Sequence, residues 1–311
     1  MATHYLSDHF NYFFSRLNPS PSFRSTASSQ YNTIKGLIED RAGRAGSLSP
    51  QCFLQGSYGQ ETAIYTINDV DIVTLCELWQ PASGGSPGTR IYGRDEIFGI
   101  IAAPLLNDKR YNTKVRYHSG SMCIKVELGI KVEILPVVYA SGNFDAQKEP
   151  FRLWRPETGQ WEDGYARQHQ ALLTQKNKAA NGNFIPMVKV LKHLRSSRSL
   201  DAVSFHVECL LYSIPDWVFF GAPADYIADV LEYIANTDAS TWYGTKILTP
   251  CGERDIFTRS EWSAERWFMF HQAVTVWAKG AVLAKESVDK AYTIKSWQAV
   301  LGANFFPTTV S

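Results

Sequence analysis

Residues 56–71 read Gly56-Ser57-Tyr58-Gly59-Gln60-Glu61-Thr62-Ala63-Ile64-Tyr65-Thr66-Ile67-Asn68-Asp69-Val70-Asp71. No other stretch constrains the chain as strongly. A Gly-Ser turn is followed by an Asp-x-Asp pair that opens an apolar run. On a strand, residues two apart share a face, so Asp69 and Asp71 point one way while Val70 and Ile72 point the other, into a core. Roughly 6–7 Å of backbone separates the pair, within reach of two divalent cations about 3.5–4 Å apart. Gly56 allows positive φ and close backbone approach. Ser57 and the N–H groups of the turn can face phosphate oxygens. Each half also has an ordinary reading: an exposed acid pair at a strand start, and a helix N-cap after a strand. The two together, bounded by strand-like runs, are a narrower coincidence than either alone.

A third acid is expected from a neighbouring strand. Glu133, in Ile130-Lys131-Val132-Glu133-Ile134-Leu135-Pro136, sits in an apolar context where an unpaired carboxylate is costly unless it faces a cation. Glu127 is the rival, with the alternative of pairing across strands with Lys125 or Lys131. Basic residues gather at Lys189, Lys192, His193, Arg195 and Arg198. On a helix, Lys189, Lys192 and Arg195 share a face that is either phosphate-binding or simply solvated. Ser204 and Phe205 open the next helix; one could meet phosphate and the other a base, or they could be cap and core.

The bulk composition excludes several classes. The 311 residues are 45% hydrophobic, enough for one large core or two smaller ones. With 31 basic and 30 acidic residues the net charge is +1, so whole-chain charge argues for neither a nucleic-acid partner nor an anionic membrane. Cysteines 52, 76, 123, 209 and 251 form no Cys-x-x-Cys clip and are odd in number, which reads as buried thiols in a reducing compartment. The start of the chain has no signal-peptide pattern, and no apolar run reaches the ~20 residues of a membrane span. The expected location is the cytoplasm. No hydrolase elbow, P-loop or histidine pair at metal-ligand spacing is present.

The expected organisation is α+β. A short amphipathic helix over 5–18 (Tyr5, Phe10, Phe13, Phe14, Leu17) is broken by Asn18-Pro-Ser-Pro-Ser-Phe23, and a longer helix runs over 23–43. Strands are expected at 51–55 and 68–77, a surface loop at 80–88, a helix at 95–107, and strands at 113–117, 121–128 and 130–139. Helices follow near 163–177, 184–198, 202–213, 222–236, 263–286 and 289–300. This places a mixed first domain at 1–160 and a helical domain at 161–311.

Together, Gly56-Ser57, Asp69-Val70-Asp71 and Glu133 resemble the polymerase-beta-type nucleotidyltransferases, and within them the bacterial relatives of cyclic GMP-AMP synthase, the dinucleotide-cyclase-type enzymes of anti-phage signalling. Phe184-Ile-Pro-Met-Val-Lys-Val-Leu-Lys-His-Leu-Arg195 is similar to the lysine-bearing spine helix of that family, and Ser204-Phe-His-Val-Glu-Cys-Leu-Leu211 to the helix after it. The resemblance implies a two-lobed cage with a mixed β-sheet lobe and a helical-bundle lobe. It implies that Asp69, Asp71 and Glu133 are catalytic and bind Mg²⁺, or Mn²⁺ in its place. Gln55, Gly56 and Ser57 would hold the donor triphosphate, Lys189 with Lys192 and Ser204 its phosphates, and Phe205 a base, while Asn177 (or Asn181) would read base identity. The substrates would be nucleoside triphosphates and the product a cyclic di- or trinucleotide, with pyrophosphate leaving. Aspartate is frequent in relatives where Glu133 stands. No Cys/His-rich insert is present, which argues against activation by DNA. A membrane partner is not expected, and the resemblance names no regulatory protein.

Two alternatives stay open at this stage. One is a template-independent nucleotidyltransferase acting on RNA or protein; near-zero net charge argues against the long basic groove it needs. The other is a nucleotide-binding pseudoenzyme scaffold, against which the intact acids count.

Overall fold

The structure is a computed structural model that describes residues 6–42, 49–76, 93–139 and 150–310. Tyr5, the end of the second helix near Gly43 and the loop expected at 80–88 lie outside the described residues. The chain divides into two compact units. One comprises 20–61 and 66–170; the other comprises 1–19, 62–65 and 171–311.

The first unit is built on a sheet. Its strands are β1 (Gln51–Gln55), β2 (Asp69–Cys76), β3 (Val115–Arg116), β4 (Ile124–Glu127), β5 (Lys131–Tyr139), β6 (Phe151–Arg155) and β7 (Gln160–Gly164). The order is β1-β2-β5-β4-β3, with β6 on the far half of β5 and β7 on β6. β2 and β5 run parallel and every other pair is antiparallel, so the sheet is mixed. β2 is an interior strand between β1 and β5: it alternates at first and is then buried on both faces, as an enclosed strand should be. Val70, Ile72, Val132 and Ile134 join the cores of α2 (Pro21–Leu37) and α4 (Arg94–Leu106) on one face. The opposite face carries polar residues at the start of β2 and β5, then turns apolar at Val73, Leu75, Val137 and Tyr139, which pack on Phe151.

Two local differences from the sequence reading have simple causes. α2 starts at Pro21 rather than after the prolines: Ser20 Oγ accepts from Phe23 N at 3.1 Å and proline occupies the first turn, where its missing N–H costs nothing. The β6–β7 hairpin lies where a domain boundary was expected. Its strands are held by Arg152–Asp163 at 3.0 Å, Arg155–Glu162 at 3.5 Å and a Trp154–Trp161 edge contact at 5.8 Å, so apolar alternation is confined to Phe151 and Leu153.

The second unit is helical, with α1 (Ser7–Leu17), most of α5 (Ala166–Ala179), α6 (Phe184–Ser197), α7 (Ser204–Ser213), α8 (Pro223–Asn236), α9 (Ala239–Gly244), α10 (Ala264–Glu286) and α11 (Lys290–Leu301). α1 belongs here and not with the sheet, because Phe10, Phe13 and Leu17 join the core that holds Phe184, Leu191, Trp297 and Phe306. Trp262, Trp267, Trp277 and Trp297 are also core, whereas Trp217 is exposed.

Phe13 is fully buried and touches the His193 ring edge-on at 5.7 Å. Phe13→Ala is expected to cost about 3–5 kcal/mol, read as a lowered denaturant midpoint. A loss under about 1 kcal/mol would mean that α1 does not share this core.

Candidate functional site

β-Pairing converts the sequence motif into a surface. The register sets Gln55 beside Asp71, Asp71 beside Glu133, and Glu133 beside Lys125. One step along, Asp69 lies beside Lys131 and Lys131 beside Glu127. Because side chains alternate, all seven share one face of the sheet. The sequence placed the acids on separate strands; the parallel register makes Asp71 and Glu133 direct neighbours.

The carboxylates are crowded, and Asp71 shows it. Burial first, then Asp69 and Glu133, push its carboxyl up to about 7, against a smaller opposing pull from Lys131. Glu133 is turned toward cations of the protein itself: its Oε1 lies 2.5 Å from Lys131 Nζ and 3.9 Å from Lys125 Nζ. That contact raises Lys131 above the usual lysine range. Among the described residues, no three His, Cys, Asp or Glu side chains are gathered closely enough to hold a metal ion as they stand. The donor chemistry nevertheless fits a hard divalent cation: three carboxylates share one face, and burial together with its anionic neighbours raises the proton affinity of Asp71. Glu127, the rival third acid, is exposed and pairs with Arg116 at 3.7 Å.

Gly56 has φ of +64°, and a Cβ there would lie 1.8 Å from Asp71 Oδ2. The turn is therefore pressed against the acid, which only glycine permits. It continues as the short α3 (Gly56–Gly59), carrying Ser57, and Gln170 Nε2 holds the Gly59 carbonyl at 2.8 Å. Gln55 Oε1 is buried without a hydrogen-bond partner beside Asp71. Gln170 was not singled out from the sequence, and Lys125 and Lys131 were read there only as partners of Glu127, whereas both reach Glu133. The parity of Lys131 with Glu133 was the available signal for one of them.

The remaining expected binding residues lie in the helical unit. Asn177 Oδ1 accepts from Ile185 N at 2.9 Å, which ties it to the start of α6. Asn181 takes φ of +55° at the turn between α5 and α6. Lys189 Nζ donates to Asn18 Oδ1 at 2.9 Å. Ser204 Oγ accepts from Arg195 Nη1 at 2.9 Å, and Phe205 packs under the Arg254 guanidinium at 5.4 Å. Lys192 does not lie on a solvated or phosphate-facing surface. Its ammonium is buried against Glu208 at 2.5 Å, because three acceptors inside the unit satisfy it.

The fold is that of the polymerase-beta-type nucleotidyltransferases. Residues 5–177 match the Second Messenger Oligonucleotide or Dinucleotide Synthetase domain, and residues 171–277 match the cGAS/DncV-like nucleotidyltransferase C-terminal helical domain. The first match covers more than half of the chain, and the protein therefore belongs to that synthetase family, nucleotidyltransferases that make cyclic oligonucleotides from nucleoside triphosphates. The cyclic UMP-AMP synthase of Rhodothermus marinus is 23% identical over 269 residues, 78% of this chain and 88% of the relative. A structure of the Rhodothermus marinus CdnE c-UMP-AMP synthase with Apcpp and Upnpp superposes with a TM-score of 0.67 at 21% identity, covering 86% of this chain and 95% of that one. The Escherichia coli MS115-1 CdnC:HORMA-deltaN complex gives 0.69 at 15% identity, covering 98% of both chains. The Vibrio cholerae DncV cyclic AMP-GMP synthase gives 0.69 at 10% identity, covering 94% of both.

Two predictions follow from this geometry. Gly56→Ala is expected to lower stability by about 1–3 kcal/mol, since the new methyl must displace Asp71 and sit at positive φ; an unchanged unfolding midpoint would contradict the close approach. The second concerns pH. Asp71 binds its proton more tightly folded than unfolded, so its stabilising contribution is complete below about pH 4 and is lost as pH rises through about 7. In EDTA at pH 8, Asp71→Asn should therefore be more stable than wild type by on the order of 2–4 kcal/mol, read from denaturant unfolding, and the difference should shrink toward pH 4. A difference independent of pH would contradict the crowding.

Proposed function

We propose that the polar sheet face is the catalytic centre of the cyclic oligonucleotide synthase. Asp69, Asp71 and Glu133 would hold divalent cations, Mg²⁺ or Mn²⁺. Bound there, the cations supply the positive charge that a triphosphate and its leaving pyrophosphate require. The observation that carries the reading is the parallel register of β2 on β5, which sets Asp71 against Glu133; burial first, then Asp69 and Glu133, raise the proton affinity of Asp71. Carboxylates crowded in this way are poised for a cation; nothing in folding alone requires them.

The chain's own residues then divide the work. Gly56 lets backbone approach the acids, Ser57 offers a hydroxyl and the turn its N–H groups to the donor triphosphate, and Gln55, whose side-chain oxygen is an unsatisfied acceptor, lies beside Asp71. Glu133, nearest in role to the acceptor, takes the proton from the attacking ribose hydroxyl. Lys131 and Lys125 give Glu133 counter-charge beforehand. Lys189 is the lysine of α6 that remains a phosphate ligand in this reading, with Phe205 as a stacking ring, Ser204 beside it and Asn177 near base choice; Lys192 drops out because its donors are spent.

ATP is proposed as one substrate. UTP is the first candidate for the second, because the Rhodothermus marinus relative is a cyclic UMP-AMP synthase. The proposed setting is anti-phage signalling in the cytoplasm. No helix among the described residues is long and apolar enough to cross a membrane. A regulatory protein partner is in keeping with a neighbour solved as a HORMA complex. Activation by DNA is not part of the proposal.

Asp69→Asn combined with Asp71→Asn is expected to lower cyclic product at least about 100-fold. The readout is mass spectrometry of reactions with Mg²⁺ and all four ribonucleotides, then with each omitted in turn. Product at the wild-type rate would refute the assignment of the centre, and product without ATP would refute the substrate.

A further inference from the structure

The connection between the Gly-Ser turn and the acid strand does not stay in the sheet unit. Residues 62–65 belong to the helical unit, although the residues on both sides belong to the sheet. The chain turns out at Glu61, a non-glycine with φ of +59°, a strained conformation that surrounding contacts must maintain.

Those contacts centre on a buried ion pair. Lys192 is 2% exposed, Glu208 3% and Thr62 0%. Lys192 Nζ donates to Glu208 Oε1 at 2.5 Å, to Thr62 Oγ1 at 2.9 Å and to the Thr62 carbonyl at 3.2 Å, which uses all three of its protons. Thr62 Oγ1 donates in turn to Glu208 Oε1 at 2.7 Å. The other end of the segment is held too. Tyr65 N donates to the Leu17 carbonyl at 2.8 Å, and the Tyr65 ring lies 4.9 Å from that of Phe305. His193 Nε2 donates to the Leu301 carbonyl at 2.9 Å, which leaves Nδ1 to accept from the Tyr65 hydroxyl at 3.2 Å.

We propose that Lys192 and Glu208 are positioning residues for the transfer reaction, acting through Thr62 on the connection that joins the phosphate turn to the acid strand. The inference rests on the reading of Gly56, Ser57, Asp69 and Asp71 as the catalytic centre. A buried ion pair is a poor way to stabilise a fold, since apolar residues of similar volume often do as well or better. What apolar residues cannot do is grip a hydroxyl and a carbonyl. The pair grips both on the one threonine between the two halves of the motif. From Thr62, five residues lead back to Ser57 and seven lead on to Asp69, so slack at the threonine passes directly into both. Lys192 then has no proton left for a phosphate, and its effect should fall on turnover instead of nucleotide affinity.

The test compares Lys192→Met combined with Glu208→Leu, Thr62→Val and Thr62→Ser by thermal unfolding, steady-state kinetics and hydrogen exchange. The double variant is expected to unfold near the wild-type temperature, yet to lose about 10- to 100-fold in kcat with nucleotide KM within about twofold. Amides of residues 63–66 should exchange faster. Thr62→Val should move kcat and exchange in the same direction, while Thr62→Ser, which keeps the hydroxyl, restores both. A raised KM at unchanged kcat would make Lys192 a phosphate ligand and overturn the proposal. Wild-type kcat and exchange in a folded double variant would also overturn it. If the double variant does not fold, Thr62→Val against Thr62→Ser decides, and equal behaviour overturns the proposal. Asp71→Asn run alongside separates the two readings. An active Asp71→Asn enzyme refutes the catalytic centre, whereas exchange at 63–66 still reports on the anchor.

Discussion

Like charges held side by side on one strand pair are the constraint on which the rest of this structure depends. The parallel pairing of β2 with β5 gives Asp71 two anionic neighbours, Asp69 along its own strand and Glu133 across. Burial on one side of β2 is generous: Val70 and Ile72 are fully enclosed, which locks the register. A slip of one residue would send both aspartates into the core and the valine and isoleucine out. The apolar side of the sheet thus enforces an electrostatic arrangement on the polar side that the carboxylates themselves oppose. The crowding adds to burial in raising the proton affinity of Asp71, and Glu133 is drawn onto Lys131.

Much of this was legible in the residues. The alternation Asp-Val-Asp-Ile announced which side chains share a face, and the long helices of the second half showed in their period. The relation of Asp71 to Glu133 was not visible locally, because parallel register joins residues sixty-two positions apart and no short-range pattern encodes it. The β6–β7 hairpin was missed for a different reason: its strands are stabilised by Arg152–Asp163 and Arg155–Glu162 pairs, so they carry charge where a strand usually alternates. α1 was assigned to the wrong half because sequence order says nothing about which core Phe10 and Phe13 enter.

Lys192 illustrates the limit best. Beside Lys189 and Arg195 on one helix it reads as part of a cationic face. The three differ in what three-dimensional packing supplies: a glutamate from α7 and Thr62 of the 62–65 segment, both in the helical unit, for Lys192, and Asn18 for Lys189. A charge run on a helix is thus several separate electrostatic problems, each solved by partners distant in sequence.

The claim that the crowded carboxylates exist to bind cations is tested most directly by anomalous scattering from crystals grown with Mn²⁺ and a non-hydrolysable nucleoside triphosphate. The account predicts anomalous peaks within bonding distance of Asp69, Asp71 and Glu133, with Glu133 released from Lys131. Nucleotide bound with no manganese peak at these three side chains would contradict it.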